Sequence, residues 1–119
     1  MCYNVITTER FQNDVKYYAK KKKFKHILDD LDSVILKLEQ GNLIGTSIPD
    51  LTFEEINHTV KVRIANSDTK VGTANGYRLI YYVVKDDKEV FLLTIYYKKE
   101  DNRIPSNKEI ESLVKEYCL

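Results

Sequence analysis

The 119-residue sequence has little of several features that define whole classes of protein. No apolar run reaches the ~18–20 residues that a membrane-spanning helix needs, so no membrane span is expected. The two cysteines, Cys2 and Cys118, lie near opposite ends without CxxC spacing, which favours free thiols over a disulfide framework. The two histidines, His26 and His58, are too few for a zinc site, so neither a metal nor a cofactor is expected.

An excess of charge of one sign is also missing. Nineteen Lys and Arg residues oppose eighteen Asp and Glu residues, and the formal net charge is +1. This balance excludes a protein that binds nucleic acid by bulk charge. The hydrophobic share of 43% is enough for a core, and the length suits a single domain over residues 1–119. The N-terminus does not resemble a secretory signal, so a cytoplasmic location is expected.

The first half of the chain has helical periodicity. Residues 3–7 are a short strand candidate, and Thr8 is a candidate N-cap for a first helix. A second amphipathic helix is predicted to end before Gly41, a residue type that commonly stops helices. Its apolar stripe consists of Phe24, Ile27, Leu28, Leu31, Ile35 and Leu38. With residues 20–23 as a short junction, the two helices predict an antiparallel hairpin.

In the second half the period changes to two. Residues 41–58 contain glycines and a proline and are predicted to be irregular. Strands are predicted over 60–64, 77–84 and 90–97, and a capping box at 106–109 starts a last helix. The order β-α-α-β-β-β-α predicts an α+β fold, in which an N-terminal helical hairpin packs on a small, mainly antiparallel sheet.

The predicted sheet collects basic residues. Residues 61–99 contain eight basic and four acidic side chains, an excess of four positive charges. Lys61 and Arg63 are two apart and therefore share a face, Arg78 begins the next strand, and Lys98 ends the third. With Tyr82, Tyr96 or Tyr97 among them, they suit single-stranded RNA better than duplex. The polar face of any half-exposed sheet is the alternative explanation.

The order of residues in these strands resembles a known family. The segments KVRIA (61–65) and GYRLIY (76–81) resemble the core of the RelE/ParE superfamily of toxins. LTIYYK (93–98) resembles the third strand of the RelE-like and HigB-like members, and the helices before and after the sheet also match. The segment KEDNRIPS that follows lacks the tyrosine that some RelE-like members carry there.

The resemblance implies a toxin of a type II toxin–antitoxin module that cuts mRNA on the ribosome by attack of the 2′-hydroxyl. It implies a cognate antitoxin as partner, expected to be a helix-turn-helix protein. Lys61, Arg63, Arg78 and Lys98 match the catalytic positions. Lys61 or Lys98 would transfer protons, while Arg63 and Arg78 would stabilise charge on the phosphate. The expected further RNA contacts are Lys70, Tyr82, Tyr96, Tyr97 and Lys99.

Two other functions remain open at this point. One is a ParE-like toxin that inhibits DNA gyrase without cutting RNA. The paired Lys61 and Arg63 and the lysine at the end of the third strand argue against it. The other is a binding module without catalytic activity, whose basic face docks an acidic partner.

Overall fold

A computed structural model describes residues 2–53 and 57–119. It contains five strands and three α-helices in the order β1 (Asn4–Thr7), α1 (Glu9–Lys20), α2 (Ile27–Glu39), β2 (Thr46–Phe53), β3 (Asn57–Ile64), β4 (Tyr77–Val84), β5 (Glu89–Tyr97) and α3 (Asn107–Tyr117). A short 3-10 helix at Asp101–Arg103 precedes α3. In the part of the chain that is described, no helix is long and apolar enough to cross a bilayer.

The strands form one sheet in the order β1-β5-β4-β3-β2. The antiparallel pairing of β3 with β4 and of β4 with β5 confirms the predicted meander. Strand β1 pairs with β5 in parallel, which makes the sheet mixed but mainly antiparallel, as predicted. The mixed α+β fold with the N-terminal helices on the sheet is therefore confirmed.

The predicted irregular segment 41–58 is partly wrong. Thr46–Phe53 forms β2, an edge strand that pairs with β3 across a register shift, and β3 begins at Asn57. Pro49 suggested a loop, but an edge strand tolerates proline because one side of its backbone forms no ladder hydrogen bonds. Residues 54–56 lie outside the described part of the chain.

The helix ends follow local chemistry. The Thr8 hydroxyl accepts a hydrogen bond from the Phe11 amide, which caps the start of α1. At the end of α2, Gly41 has a φ of +87°, and its amide donates to the Leu38 carbonyl. The Asn42 amide donates to the Lys37 carbonyl, which completes a Schellman motif. The predicted helix stop at Gly41 is therefore confirmed.

Two apolar clusters cover opposite faces of the sheet. On the hairpin face, Leu79 and Tyr81 of β4 pack with residues of α1 and α2 such as Tyr18 and Leu31. On the α3 face, Ile80 and other strand residues pack with α3; this second cluster consists of Leu51, Ile80, Tyr82, Leu93, Tyr96, Ile110, Leu113 and Val114. Strand β4 is thus buried on both faces.

Candidate functional site

The exposed basic side chains of β3 lie on the α3 face. Lys61 and Arg63 are exposed, whereas Val60, Val62 and Ile64 point into the core of the hairpin face. This is the alternation that the sequence predicts for a half-buried strand. Lys61 and Arg63, together with Gly45 and Thr46, line an open groove of about 620 Å³.

The wall of this groove opposite β3 comes from the unpredicted strand β2. Thr46 lies directly across from Lys61 in the register of the two strands. Gly45, just before it, has a φ of +117°, a conformation that favours glycine. A Cβ atom at Gly45 would lie 2.6 Å from the carbonyl oxygen of Lys61. A glycine is needed here because the chain passes so close to the backbone of β3.

Arg78 faces Arg63 across the β3–β4 pair but is not exposed like it. The side chain is buried, with 5% of the residue exposed. Its Nη1 donates to the carbonyls of Thr73 at 3.0 Å and Tyr77 at 3.2 Å, and its Nη2 donates to the carbonyl of Ala74 at 2.9 Å. Burial, and then the charge of Arg63, hold the pKa of Arg78 below its ordinary value.

Lys98 reaches the same place from the end of β5. Its backbone amide donates to the carbonyl of Gly76 at 3.0 Å, and its exposed ammonium donates to the carbonyl of Ala74 at 3.1 Å. The structure therefore brings Lys98 and Arg78 together on one carbonyl oxygen. Lys99 follows as an exposed neighbour. We call Lys61, Arg63, Arg78 and Lys98 with the groove between β2 and β3 the basic site.

The carboxylate that follows the two lysines is held away from them. Glu100 accepts hydrogen bonds from the Tyr17 hydroxyl at 2.7 Å and from the Lys22 ammonium at 2.9 Å. Burial alone raises the pKa of Glu100, but these hydrogen bonds outweigh it and hold the pKa below its ordinary value. The Glu100 charge is thus paired with α1 and the residues just after it.

Two of the three tyrosines that were expected among the cations lie elsewhere. Tyr82 is fully buried in the cluster beneath α3. Tyr97 points to the hairpin face, where its ring packs edge-on against Phe24 at 5.4 Å between centroids. Tyr96 does lie beside a cation, opposite Arg78, but is only 7% exposed. Burial of these rings is favourable because large aromatic side chains contribute most when buried.

Lys70 lies in the loop between β3 and β4. It is exposed and has a φ of +58°. The first half of this loop is held against α2, since Asp30 accepts from the amide and hydroxyl of Ser67 and Asp68 accepts from the amide of His26. The second half carries the Thr73 and Ala74 carbonyls that bind Arg78. The loop thus connects the hairpin to the basic site.

The basic site has the chemistry of an anion site, because ammonium and guanidinium groups bind phosphate oxygens. Over residues 2–53 and 57–119, no group of three or more His, Cys, Asp or Glu side chains is placed to hold a metal ion.

Sequence reasoning missed the contribution of β2 and the role of the β3–β4 loop. Thr46 was not predicted to lie in a strand, because Gly45 and Pro49 on either side of it suggested a loop. The loop carbonyls carry no sequence signal, since every residue has one. A signal for β2 is the short apolar, polar, apolar alternation over residues 51–53.

Comparison with known proteins supports the fold. No family model matches the chain. A search of curated proteins also finds no match. Among solved structures, the chain is similar to a mutant of the E. coli toxin RelE in the free state, in which two arginines are replaced by alanine. The identity is 17%, the TM-score is 0.51, and the match covers 98% of this chain and 99% of the RelE chain. The chain therefore has a RelE-like fold, as the sequence predicts.

Proposed function

We propose that this protein is the toxin of a type II toxin–antitoxin module and that it cleaves mRNA on the ribosome, in the cytoplasm. The observation that carries the proposal is the basic site. Exposed Lys61 and Arg63 share one face of a RelE-like sheet, and exposed Lys98 shares the Ala74 carbonyl with Arg78, which lies opposite Arg63. The groove of about 620 Å³ beside Lys61 and Arg63 is open to solvent and wide enough for a nucleotide of an extended strand.

The proposed reaction is internal attack of a ribose 2′-oxygen on the adjacent phosphorus. The 2′-hydroxyl loses its proton, a bond forms from this oxygen to phosphorus, and the bond from phosphorus to the 5′-oxygen breaks. The leaving 5′-oxygen gains a proton, so the products are a 2′,3′-cyclic phosphate and a 5′-hydroxyl. No step in this scheme uses a metal ion.

Each cation of the basic site has a role in this scheme. Arg63 forks onto two phosphate oxygens and stabilises the negative charge that grows on them. Lys61, on β3, and Lys98, just after β5, are the proposed proton acceptor and proton donor, in either order. The buried charge of Arg78 adds to the positive potential beneath the surface.

A cognate antitoxin is the second partner in this proposal. It neutralises the protein by covering the basic site with an acidic or amphipathic segment. A small helix-turn-helix protein encoded beside this one, which suppresses growth arrest and binds the purified chain, would support the module.

The test is cleavage of mRNA by purified protein on programmed ribosomes, followed by primer extension. The parent is expected to cut in the A site. Lys61→Ala and Lys98→Ala each lower the single-turnover rate by about 10²–10⁴, and Arg63→Ala lowers it by about 10²–10³. Lys85→Ala is the matched control, because Lys85 is an exposed lysine just past the far end of β4.

Three outcomes contradict the proposal. If the three alanine variants cut as fast as the parent, the site is wrong. If the protein arrests growth with DNA breaks and without A-site cuts, the gyrase target is correct instead. If ribosomes are bound but mRNA stays intact under every condition, the basic site is a docking surface.

A further inference from the structure

One carbonyl oxygen binds two of the four cations of the basic site. The Ala74 carbonyl accepts from Nη2 of Arg78 at 2.9 Å and from Nζ of Lys98 at 3.1 Å. Arg78 lies near the start of β4, and Lys98 follows the end of β5. The two strands are antiparallel, so these ends lie side by side. The shared acceptor means that whatever fixes Ala74 also fixes the Lys98 ammonium.

Arg78 is the side chain that fixes Ala74. Its guanidinium spans two successive loop carbonyls, those of Thr73 and Ala74, and also bonds the carbonyl of Tyr77. With only 5% of the residue exposed, it presents little surface to a ligand in the groove. Binding a phosphate directly would require the guanidinium to leave these three carbonyls, of which the Ala74 carbonyl alone has a second side-chain donor, Lys98, among the described residues.

The backbone of residues 73–74 also belongs to a turn, in which the Asn75 amide donates to the Gly72 carbonyl at 3.3 Å. The first half of the loop is held by Asp30 and His26 through Ser67 and Asp68. The far end is held at Gly76, whose carbonyl accepts from the Lys98 amide. Between these anchors, the Arg78 guanidinium binds the carbonyls of both Thr73 and Ala74.

Lys98 keeps donors free for a ligand. An ammonium has three N–H groups, and the Ala74 carbonyl takes one of them. The side chain is exposed, so its other donors face solvent at the edge of the basic site. The Ala74 carbonyl thus orients the Lys98 ammonium and leaves N–H groups for a ligand, whereas the Arg78 guanidinium donates to three carbonyls.

We propose that Arg78 is a positioning residue: it organises the loop at residues 73–74 so that the Ala74 carbonyl holds the Lys98 ammonium for proton transfer. This inference rests on the proposed function and assigns contact with the RNA to Lys61, Arg63 and Lys98. It differs from the expectation that Arg78 itself binds the phosphate. The two roles make different predictions, because a positioning residue has no effect once the group it positions is gone.

The experiment is a double-mutant cycle on single-turnover mRNA cleavage by programmed ribosomes. Arg78→Ala is expected to slow cleavage about 10- to 100-fold, and Lys98→Ala more strongly, about 10²–10⁴-fold. The Arg78→Ala/Lys98→Ala double variant is expected to match Lys98→Ala within about threefold. In the parallel cycle with Arg63→Ala, the two losses are expected to multiply.

The conservative variant adds a second criterion. Arg78→Lys keeps the charge but lacks the planar fork that places two nitrogens on the carbonyls of residues 73, 74 and 77, so its rate is expected to stay within about threefold of Arg78→Ala. Losses that multiply in the Arg78/Lys98 cycle, or a full rescue by lysine, would overturn the proposal. Loss of folding is distinguished from loss of positioning, because unfolding caused by Arg78→Ala would slow cleavage by the same factor in the parent and in the Lys98→Ala variant.

NMR measurements on the protein alone test the positioning role of Arg78 even if the protein does not cut RNA. Hydrogen exchange of the Lys98 amide and the order parameter of its ammonium nitrogen are followed by NMR in the parent, Arg78→Ala and Arg63→Ala. Arg78→Ala is expected to raise exchange at the Lys98 amide at least tenfold and to loosen the ammonium, with Arg63→Ala close to the parent. Equal behaviour of both variants would overturn the positioning role, whereas absent cleavage by the parent would overturn the proposed function.

Discussion

Asp14 in α1 and Arg103 in the 3-10 helix are 89 residues apart in the chain, and Nη2 of Arg103 donates to Oδ1 of Asp14 at 3.0 Å. The Asp14 carboxylate also accepts from Nε of Arg10 at 3.3 Å, from the Thr94 hydroxyl and from the Ile95 amide. The residue is only 2% exposed. This buried carboxylate therefore ties α1 to β5 and to the segment that follows Lys98 and Lys99.

Removal of this carboxylate is expected to destabilise the protein strongly. Asp14→Ala removes the buried acceptor of the Thr94 hydroxyl and the Ile95 amide and one of the two carboxylates that pair with Arg10 and with Arg103, so the free energy of unfolding falls by about 3 kcal/mol. Urea denaturation at pH 7 measures it. Asp32→Ala is the control, since Asp32 is exposed on α2, and it is expected to change stability by less than about 0.5 kcal/mol. A loss below about 1 kcal/mol for Asp14→Ala would contradict the structural role.

Two glycines of the β3–β4 loop are expected to differ sharply in their tolerance of alanine. At Gly76 a Cβ atom would lie 2.1 Å from the carbonyl oxygen of Ile64, whereas at Gly72 it would meet nothing within 4 Å. Gly76→Ala is expected to lower the free energy of unfolding by about 2–4 kcal/mol through overpacking and backbone displacement. Gly72→Ala is expected to be neutral or to stabilise by up to about 1 kcal/mol. Thermal and urea unfolding of the two variants tests the contrast, which equal losses would refute.

The stability contributed by Glu100 is expected to depend on pH. The pKa of Glu100 is lowered in the folded protein, so its contribution is present above the ordinary glutamate pKa of about 4.3 and is lost as pH falls through the folded-state pKa. Glu100→Gln is therefore expected to be less stable than the parent at pH 7, and the difference should shrink below about pH 4.3. Urea denaturation from pH 3 to pH 7 measures the curve, with Glu111→Gln on the exposed face of α3 as control. A difference that stays constant with pH would show that the hydrogen bonds from Tyr17 and Lys22 do not favour the charged form of Glu100.

Binding to RNA is expected to depend only modestly on salt. The net charge is +1, so attraction comes from a few local contacts. If Lys61, Arg63, Lys98 and Lys99 each neutralise one phosphate of a single strand, log K against log salt has a slope of about −3. Titration of a single-stranded oligonucleotide from low to high salt measures the slope. Lys99→Ala should reduce its magnitude by about 0.7, and a slope steeper than about −5 would mean that further basic residues take part.

Much of the fold was predictable because its signals are local. The cap at Thr8, the stop at Gly41 and the alternation of β3 each depend on residues a few positions apart, and the structure confirms all three. The pairing of β3, β4 and β5 also followed, since consecutive strands with short connections usually pair. Strand β2 was not predictable in this way, because an edge strand broken by a register shift carries only a short alternation.

The candidate site also has one part that could be predicted from local signals and another part that could not. That Lys61 and Arg63 share an exposed face follows from the period of a strand and from the apolar residues between them. That Arg78 is buried beneath a loop does not, since its three acceptors are backbone carbonyls that every residue type provides. Tyr82 and Tyr97 look alike in sequence, yet the helix that packs on each face of the sheet decides which core they join.

The helices, the three-stranded meander and the resemblance to RelE follow from the amino-acid sequence, because capping, periodicity and strand register depend on neighbours along the chain. The arrangement of the cations follows from the tertiary fold. The Ala74 carbonyl, the close passage of Gly45 beside Lys61 and the distant pairing of Glu100 with Lys22 are contacts between remote segments. Such contacts depend on the geometry of packed elements and on which polar groups remain to be satisfied once the core has formed.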